Sequence, residues 1–138
     1  MTKVFISHSS VDTWIAKQLA SHITKCGAST FLDEASIEHG DDFEQKILDA
    51  AENCDELLVL LTPWATSRPY IWLEVGVFWG ARKRIVCLLH GINPKELATD
   101  EKMPVLLKKL DLLPLNEIDN YLLQLKNRIK RFKGKKKK

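Results

Sequence analysis

One acidic residue lies alone in a segment rich in aromatic side chains. Residues 62–80 contain three of the four tryptophans of the chain and a single acid, Glu74. If this segment is helical, Tyr70 lies one turn before Glu74 on the same side. A carboxylate among aromatic rings does little for solubility, so Glu74 is a candidate for binding or catalysis. The structural alternative is a glutamate that pairs with Arg68, Arg82 or the first loop.

A second candidate segment, Ser7-His8-Ser9-Ser10, follows the first apolar run and leads into a predicted helix. The free N–H groups and the dipole of a helix start favour phosphate or ribose oxygens. Ser9 and Asp12 also have capping-box spacing, so a simple N-cap is the alternative. His8 could carry a proton, although a single histidine beside a strand end is more often a hydrogen-bonding residue.

A third segment, residues 33–43, is strongly acidic and places the apolar Ile37 among charged residues. Its carboxylates would repel phosphate, because like charges destabilise each other at close range. The pattern therefore indicates a surface for a basic partner or a gate over a pocket. Ile37 is then a contact residue, or it packs back onto its own domain.

The elements that position these segments follow from the hydrophobic pattern. Short apolar runs alternate with longer amphipathic ones, which predicts an α/β fold with a parallel sheet. Strands are predicted over residues 3–7, 28–32, 56–62, 84–89 and 111–115, and helices over about 11–26, 42–53, 69–82 and from 116, with one short turn near 95–98. This is a flavodoxin-like doubly wound five-stranded parallel sheet with helices on both faces. Ligands bind such sheets beyond the carboxyl ends of the strands.

Helical spacing also predicts which side chains are buried. The predicted core residues of the first, second and last long helices are Trp14, Ile15, Leu19 and Ile23; Phe43, Ile47, Leu48 and Ala51; and Ile118, Leu122, Leu125 and Ile129. The uninterrupted run Leu57 to Leu61 predicts a central strand that is covered on both faces.

Composition narrows the class of protein. The 138 residues fit one domain, which we place at residues 1–125, followed by a basic helix end and lysine-rich tail at 126–138. The tail holds nine of the 21 Lys and Arg and none of the 18 Asp and Glu, so the body is acidic and no specific nucleic-acid surface is predicted on it. The tail is a solubilising or frayed end, or it holds an anionic partner. The sequence has no apolar run of membrane-spanning length and no secretory signal, which predicts a cytoplasmic protein without membrane contact.

The three cysteines are odd in number, far apart and without Cys-x-x-Cys spacing. They predict buried free thiols, and they predict neither a metal site nor a catalytic cysteine.

Three segments, Val4 to Asp12, Phe31 to Phe43 and Ser67 to Glu74, together resemble a TIR domain. The first resembles the opening strand and serine-rich turn of that family. The second resembles its BB loop, and the third resembles the segment that carries the catalytic glutamate of NAD-cleaving members. The resemblance extends over roughly residues 3–125 and is strongest with prokaryotic members. One departure is Tyr70, where many enzymatic members have tryptophan, so the shape of the pocket and the product could differ.

The resemblance implies an NAD+ nucleosidase or cyclase that uses NAD+ as substrate and needs no cofactor. It implies Glu74 as the catalytic residue and a substrate-binding set made of Phe5, Ser7, His8, Ser9, Ile37 and Tyr70. For self-association it implies the BB-loop residues Asp33, Glu34, Ile37 and Gly40. It also implies activity that depends on oligomerisation, a role in prokaryotic antiphage defence and a separate effector protein as partner.

Other functions stay open at this stage. The first alternative is a non-catalytic TIR–TIR interaction scaffold, and the second is a nucleoside deoxyribosyltransferase, whose related sheet also carries a reactive glutamate. A phosphoacceptor receiver is disfavoured because Ser7-His8-Ser9 and Leu61-Thr62-Pro63 replace the acids it needs. A dinucleotide oxidoreductase lacks its Gly-x-Gly-x-x-Gly turn.

Overall fold

Strands and helices alternate along the chain in the computed structural model, which describes residues 1–32, 43–101 and 110–136. The strands of these ranges are β1 (Lys3–Ser7), β2 (Ser29–Leu32), β3 (Glu56–Leu61), β4 (Arg84–Leu89) and β5 (Asp111–Pro114). Their α-helices are α1 (Thr13–Lys25), α2 (Phe43–Asn53), α3 (Pro69–Gly80), α4 (Pro94–Thr99) and α5 (Ile118–Lys136). Short 3₁₀ turns precede α1, α3 and α5 at Ser10–Asp12, Ala65–Ser67 and Leu115–Glu117.

The strands form one parallel sheet in the order β2-β1-β3-β4-β5. The chain winds outward from β1 in one direction to β2 and in the other to β3, so the order reverses between β1 and β3. This confirms the predicted flavodoxin-like doubly wound sheet. The crevice at such a reversal is where open α/β sheets bind ligands. Ser7 at the end of β1 pairs in register with Val59 of β3.

Alternate residues of the central strands pack into two core clusters on opposite faces of the sheet. One face buries Phe5, Leu57, Val59 and Leu61 with Ile71, Val75 and Phe78 of α3. The other buries Val4, Ile6, Leu58 and Leu60 with residues of α1 and α5. All six residues of β3 are buried, as predicted for a central strand.

Two predicted core residues are exposed. Trp14 is 71% exposed and Leu48 is 47% exposed. Helix neighbours on one face are three or four residues apart, and the stripe of α1 is built by Ala16, Leu19 and Ile23. Trp14 lies five residues before Leu19, so it falls outside this stripe. Leu48 directly follows the buried Ile47, and a step of one residue turns the helix by about 100°.

Cysteine reactivity provides a test of the packing. Cys54 and Cys87 are buried free thiols, whereas Cys26 is half-buried. Burial, with the charge of Asp111, raises the pKa of Cys87 to about 12, and burial also raises the pKa of Cys54. Because the thiolate is the reactive form, we expect iodoacetamide at pH 8 to modify Cys26 well before the other two. Peptide mass spectrometry over time measures this order, and all three thiols should react equally in urea. Modification of Cys87 as fast as Cys26 in the native protein would contradict the packing.

Candidate active site

The ends of β1 and β3 bring together two segments that the sequence marked separately. Ser7 is the last residue of β1 and Glu74 lies in the middle of α3, and both are fully buried. The Ser7 hydroxyl Oγ donates a hydrogen bond to Glu74 Oε1 over 3.1 Å. This contact joins residues 67 positions apart in the chain. It lies at the carboxyl edge of the sheet, beside the point where the strand order reverses.

The burial of Glu74 follows from its place on α3. Pro69 suits the first turn of this helix, and the residues at helical spacing after it, Ile71, Glu74, Val75 and Phe78, form its buried face. The indole Nε1 of Trp72 donates to the Thr66 carbonyl over 3.0 Å and ties the helix to the turn before it. Glu74 therefore occupies a position where an apolar residue is expected. Carboxylates are rarely fully buried without a specific role.

The serine-rich turn after β1 is also buried. His8 is 8% exposed and Ser9 is 3% exposed. Nδ1 of His8 has no hydrogen-bond partner among the described residues. The predicted capping box is wrong, because neither cap side chain bonds to a backbone N–H. Ser9 Oγ instead donates to Asp12 Oδ2 over 2.7 Å.

The sequence did not predict that Thr62 is a hydrogen-bond partner of Asp12. Thr62, the residue after β3, donates from Oγ1 to Asp12 Oδ2 over 2.6 Å. Asp12 and Thr62 are 3% and 0% exposed. The signal was present in the sequence as polar residues following two strands that are neighbours in a doubly wound sheet.

The remaining predicted site residues differ in their surroundings. Phe5 lies in the core, 2% exposed, with its ring centroid 5.3 Å from that of Phe31 and 5.4 Å from that of Phe78. It therefore belongs to the core that packs against α3, the helix that carries Glu74. Tyr70 is half-buried, one turn before Glu74. The predicted BB-loop residues, Asp33, Glu34, Ile37 and Gly40, lie outside the described residues.

The part of the chain that the structure describes contains no cluster of His, Cys, Asp or Glu suited to a metal ion. None of its helices has the length and apolar character needed to span a bilayer. The arrangement at Glu74 offers one carboxylate oxygen held by a hydroxyl. Such a carboxylate can stabilise a developing positive charge or hold the hydroxyl groups of a sugar.

Comparison with known proteins assigns the family. A family model described as TIR domain matches residues 4–122. The Brachypodium distachyon protein described as "Probable 2' cyclic ADP-D-ribose synthase BdTIR" is 30% identical over 97 residues, which cover 69% of this chain and 43% of the relative. The chain therefore spans less than half the length of that protein.

Solved structures agree on the fold. The TIR domain of the Toll-related receptor TRR-2 from Hydra magnipapillata matches with a TM-score of 0.66 at 19% identity, covering 94% of this chain and 97% of that one. The CMP N-glycosidase BcmB of Clostridium botulinum matches with a TM-score of 0.55 at 19% identity, covering 90% and 98%. At these identities the likeness shows the fold alone. Because the family model spans most of the chain, this protein belongs to the TIR domain family.

Proposed function

We propose that this TIR domain cleaves the bond between nicotinamide and ribose in NAD+ and gives ADP-ribose or a cyclic ADP-ribose. The observation that carries the proposal is the fully buried Glu74, held by Ser7 at the carboxyl edge of the sheet. The relative described as a 2' cyclic ADP-D-ribose synthase supports the choice of NAD+ as substrate. Its description also makes a 2' cyclic product the first to look for.

A single carboxylate is sufficient for this reaction. Nicotinamide is a cationic pyridinium in NAD+, and it takes the electron pair of the breaking C–N bond to leave as a neutral ring. It needs no general acid, unlike the leaving groups of most glycosidases, which require two carboxylates. Positive charge develops on the ribose, and the negative charge of Glu74 stabilises it. Water, or an adenine or ribose group of the same ADP-ribosyl unit, then bonds to the anomeric carbon, and the proton that this nucleophile loses goes to solvent.

The other site residues support this step in our proposal. The hydroxyl of Ser7 fixes the orientation of the Glu74 carboxylate. The Glu74 side chain therefore loses less conformational entropy when the transition state forms. His8 and Ser9 lie beside it on the turn after β1, near ribose or phosphate oxygens. Tyr70 supplies an aromatic wall one turn before Glu74. Ile37 of the BB loop and the supporting Phe5 complete the proposed set.

Self-association is the second part of the proposal. TIR domains act in assemblies, and we expect the BB-loop residues Asp33, Glu34, Ile37 and Gly40 to join neighbouring copies and so complete the cleft. The cytoplasmic role in prokaryotic antiphage defence, with a separate effector that senses the product, belongs to the same proposal.

An NAD+ assay over a range of protein concentrations tests the function. We expect nicotinamide release matched by ADP-ribose or a cyclic product in the mass spectrum, at a rate per molecule that rises as light scattering shows assembly. Parallel reactions with deoxynucleosides test the deoxyribosyltransferase alternative. Assembly without any nicotinamide release would contradict catalysis and favour the non-catalytic scaffold.

A further inference from the structure

A buried hydrogen-bond network centred on Asp12 joins the two loops that form the candidate site. Oδ2 of Asp12 accepts hydrogen bonds from Ser9 Oγ at 2.7 Å and from Thr62 Oγ1 at 2.6 Å. The Asp12 backbone N–H also donates to the Ser9 carbonyl over 2.9 Å. All three side chains are at most 3% exposed. A carboxylate at such depth is strongly unfavourable unless hydrogen bonds replace its lost hydration.

The network continues from Thr62 into the segment that leads to α3. Thr62 Oγ1 accepts from the backbone N–H of Ala65 over 3.2 Å, and the Thr62 carbonyl accepts from the backbone N–H of Thr66 over 3.1 Å. Thr66 in turn accepts from the indole of Trp72 on α3. Asp12 is thus connected to the helix that carries Glu74 through residues that are themselves hydrogen-bonded.

The other end of the network, Ser9, is joined through the chain to the residue that binds Glu74. Ser9 lies two positions after Ser7, whose hydroxyl donates to Glu74 Oε1. We consider two sets of side-chain hydrogen bonds, both among the described residues, that join β1 and its following turn to the segment after β3. One is the direct bond between Ser7 and Glu74, and the other is the pair of bonds made by Asp12. The register of β1 on β3 fixes the backbone of Ser7, whereas the bonds of Asp12 hold the loops beyond the strand ends. Losing the bonds of Asp12 therefore loosens the turn after Ser7 and the segment that leads to α3.

We infer that Asp12 is a positioning residue for the reaction at Glu74, and that it acts by holding Ser9 and Thr62 in one geometry. The inference depends on the proposed NAD+ cleavage. Asp12 does not need to contact the substrate in this role. Its two short bonds from hydroxyls set the spacing between the serine-rich turn and α3. Misplacement of a catalytic group by about 1 Å is enough to lower a rate by about 10²-fold.

The test compares Thr62→Val with Thr62→Ser in the assembled protein. Valine keeps the shape of threonine and removes the hydroxyl, whereas serine keeps the hydroxyl. We expect Thr62→Val to lower kcat for nicotinamide release by about 10- to 100-fold, with KM changed less than about threefold, because the ground-state contacts remain. Thr62→Ser should retain most of the wild-type kcat. Asp12→Asn, which keeps an oxygen acceptor, should fall between them.

Thr66→Val is the matched control. Thr66 takes part in the network only through its backbone N–H and carbonyl, which valine keeps. Its hydroxyl donates to the Pro63 carbonyl in the same loop, so kcat should stay within about twofold of wild type. Each kcat is divided by the folded fraction from circular dichroism at the assay temperature. A purely structural role would lower the melting temperature and leave kcat per folded molecule unchanged, and that result for Thr62→Val would overturn the inference. Failure of the wild-type protein to cleave NAD+ would instead overturn the proposed function.

Discussion

Glu74→Gln is expected to lower kcat for nicotinamide release by about 10²- to 10³-fold, the effect of removing a preorganised electrostatic group from an active site. Glutamine has nearly the shape of glutamate and keeps an oxygen that can accept from Ser7 Oγ, so the buried contact can survive. The negative charge that our proposal places opposite the developing ribose cation is lost. The melting temperature should therefore change far less than the rate. Initial rates by mass spectrometry and thermal unfolding by circular dichroism give the two quantities.

Glu52→Gln is the matched control for this experiment. Glu52 is exposed on α2 and its replacement removes the same charge from the surface. Both variants must be compared with the wild type at equal degrees of assembly, because a fall in self-association would lower the rate for another reason. Equal NAD+ consumption by Glu74→Gln and by the wild-type protein would remove Glu74 from the mechanism.

The strands were predictable because the signals for them are local. The apolar run from Leu57 to Leu61 has no polar interruption, and the structure buries every residue of this strand. The fourth strand, Arg84–Leu89, has the bounds that its sequence predicts. Once the chain alternates between strands and helices, right-handed crossovers leave few topologies for a small parallel sheet. The carboxyl edge near Ser7 and Thr62 followed from that topology.

The hydrogen bonds within the site could not be predicted from local sequence patterns. Ser9 and Asp12 have the spacing of a capping box, and the spacing alone cannot reveal that Thr62, 50 residues away, donates to the same carboxylate oxygen. The bond between Ser7 and Glu74 likewise depends on how α3 packs on the sheet. The exposure of Trp14 shows a second limit, since Trp14, Ile15, Leu19 and Ile23 were interpreted as one buried stripe, whereas Ala16, Leu19 and Ile23 form the face that packs. The fold could therefore be predicted from the sequence, whereas the hydrogen-bond partners depend on three-dimensional packing.

Arg128→Met is expected to destabilise the fold by about 3–5 kcal/mol, because it leaves a buried carboxylate without its close cation. Glu56 at the start of β3 is 4% exposed. Its two carboxylate oxygens accept from Arg128 Nη2 at 3.0 and 2.9 Å, and Oε1 also accepts from the Tyr121 hydroxyl. The other cation, Arg84, has its Nε 3.9 Å from Glu56 Oε2 and is half exposed, so it compensates weakly. Urea unfolding at pH 7 measures the change.

Lys126→Met is the control for the loss of one positive charge from α5. Lys126 is exposed on the same helix, and its replacement should change the free energy of unfolding by less than about 0.5 kcal/mol. An equal effect of Arg128→Met and Lys126→Met would show that the ion pair with Glu56 contributes little. Loss of stability in Arg128→Met alone would show that α5 is held to the start of β3 by this pair.

The pH dependence of the stability of Tyr121→Phe distinguishes the contribution of the Tyr121 hydroxyl from that of the Glu56–Arg128 ion pair. Burial, with the charge and hydrogen bond of Glu56, raises the pKa of Tyr121 in the folded protein. The unfolded tyrosine ionises near pH 10, so the wild type loses stability as the pH rises above about 10, and phenylalanine removes this loss. At pH 7 the variant should be less stable by about 1.5–3 kcal/mol, the net value of a hydrogen bond to a charged group. The difference in free energy of unfolding between the two proteins should shrink at higher pH. Ionisation of the unfolded Cys87 also lowers stability at alkaline pH, but it does so equally in both proteins. A difference that stays constant from pH 7 to above pH 10 would contradict a neutral hydroxyl donating to Glu56.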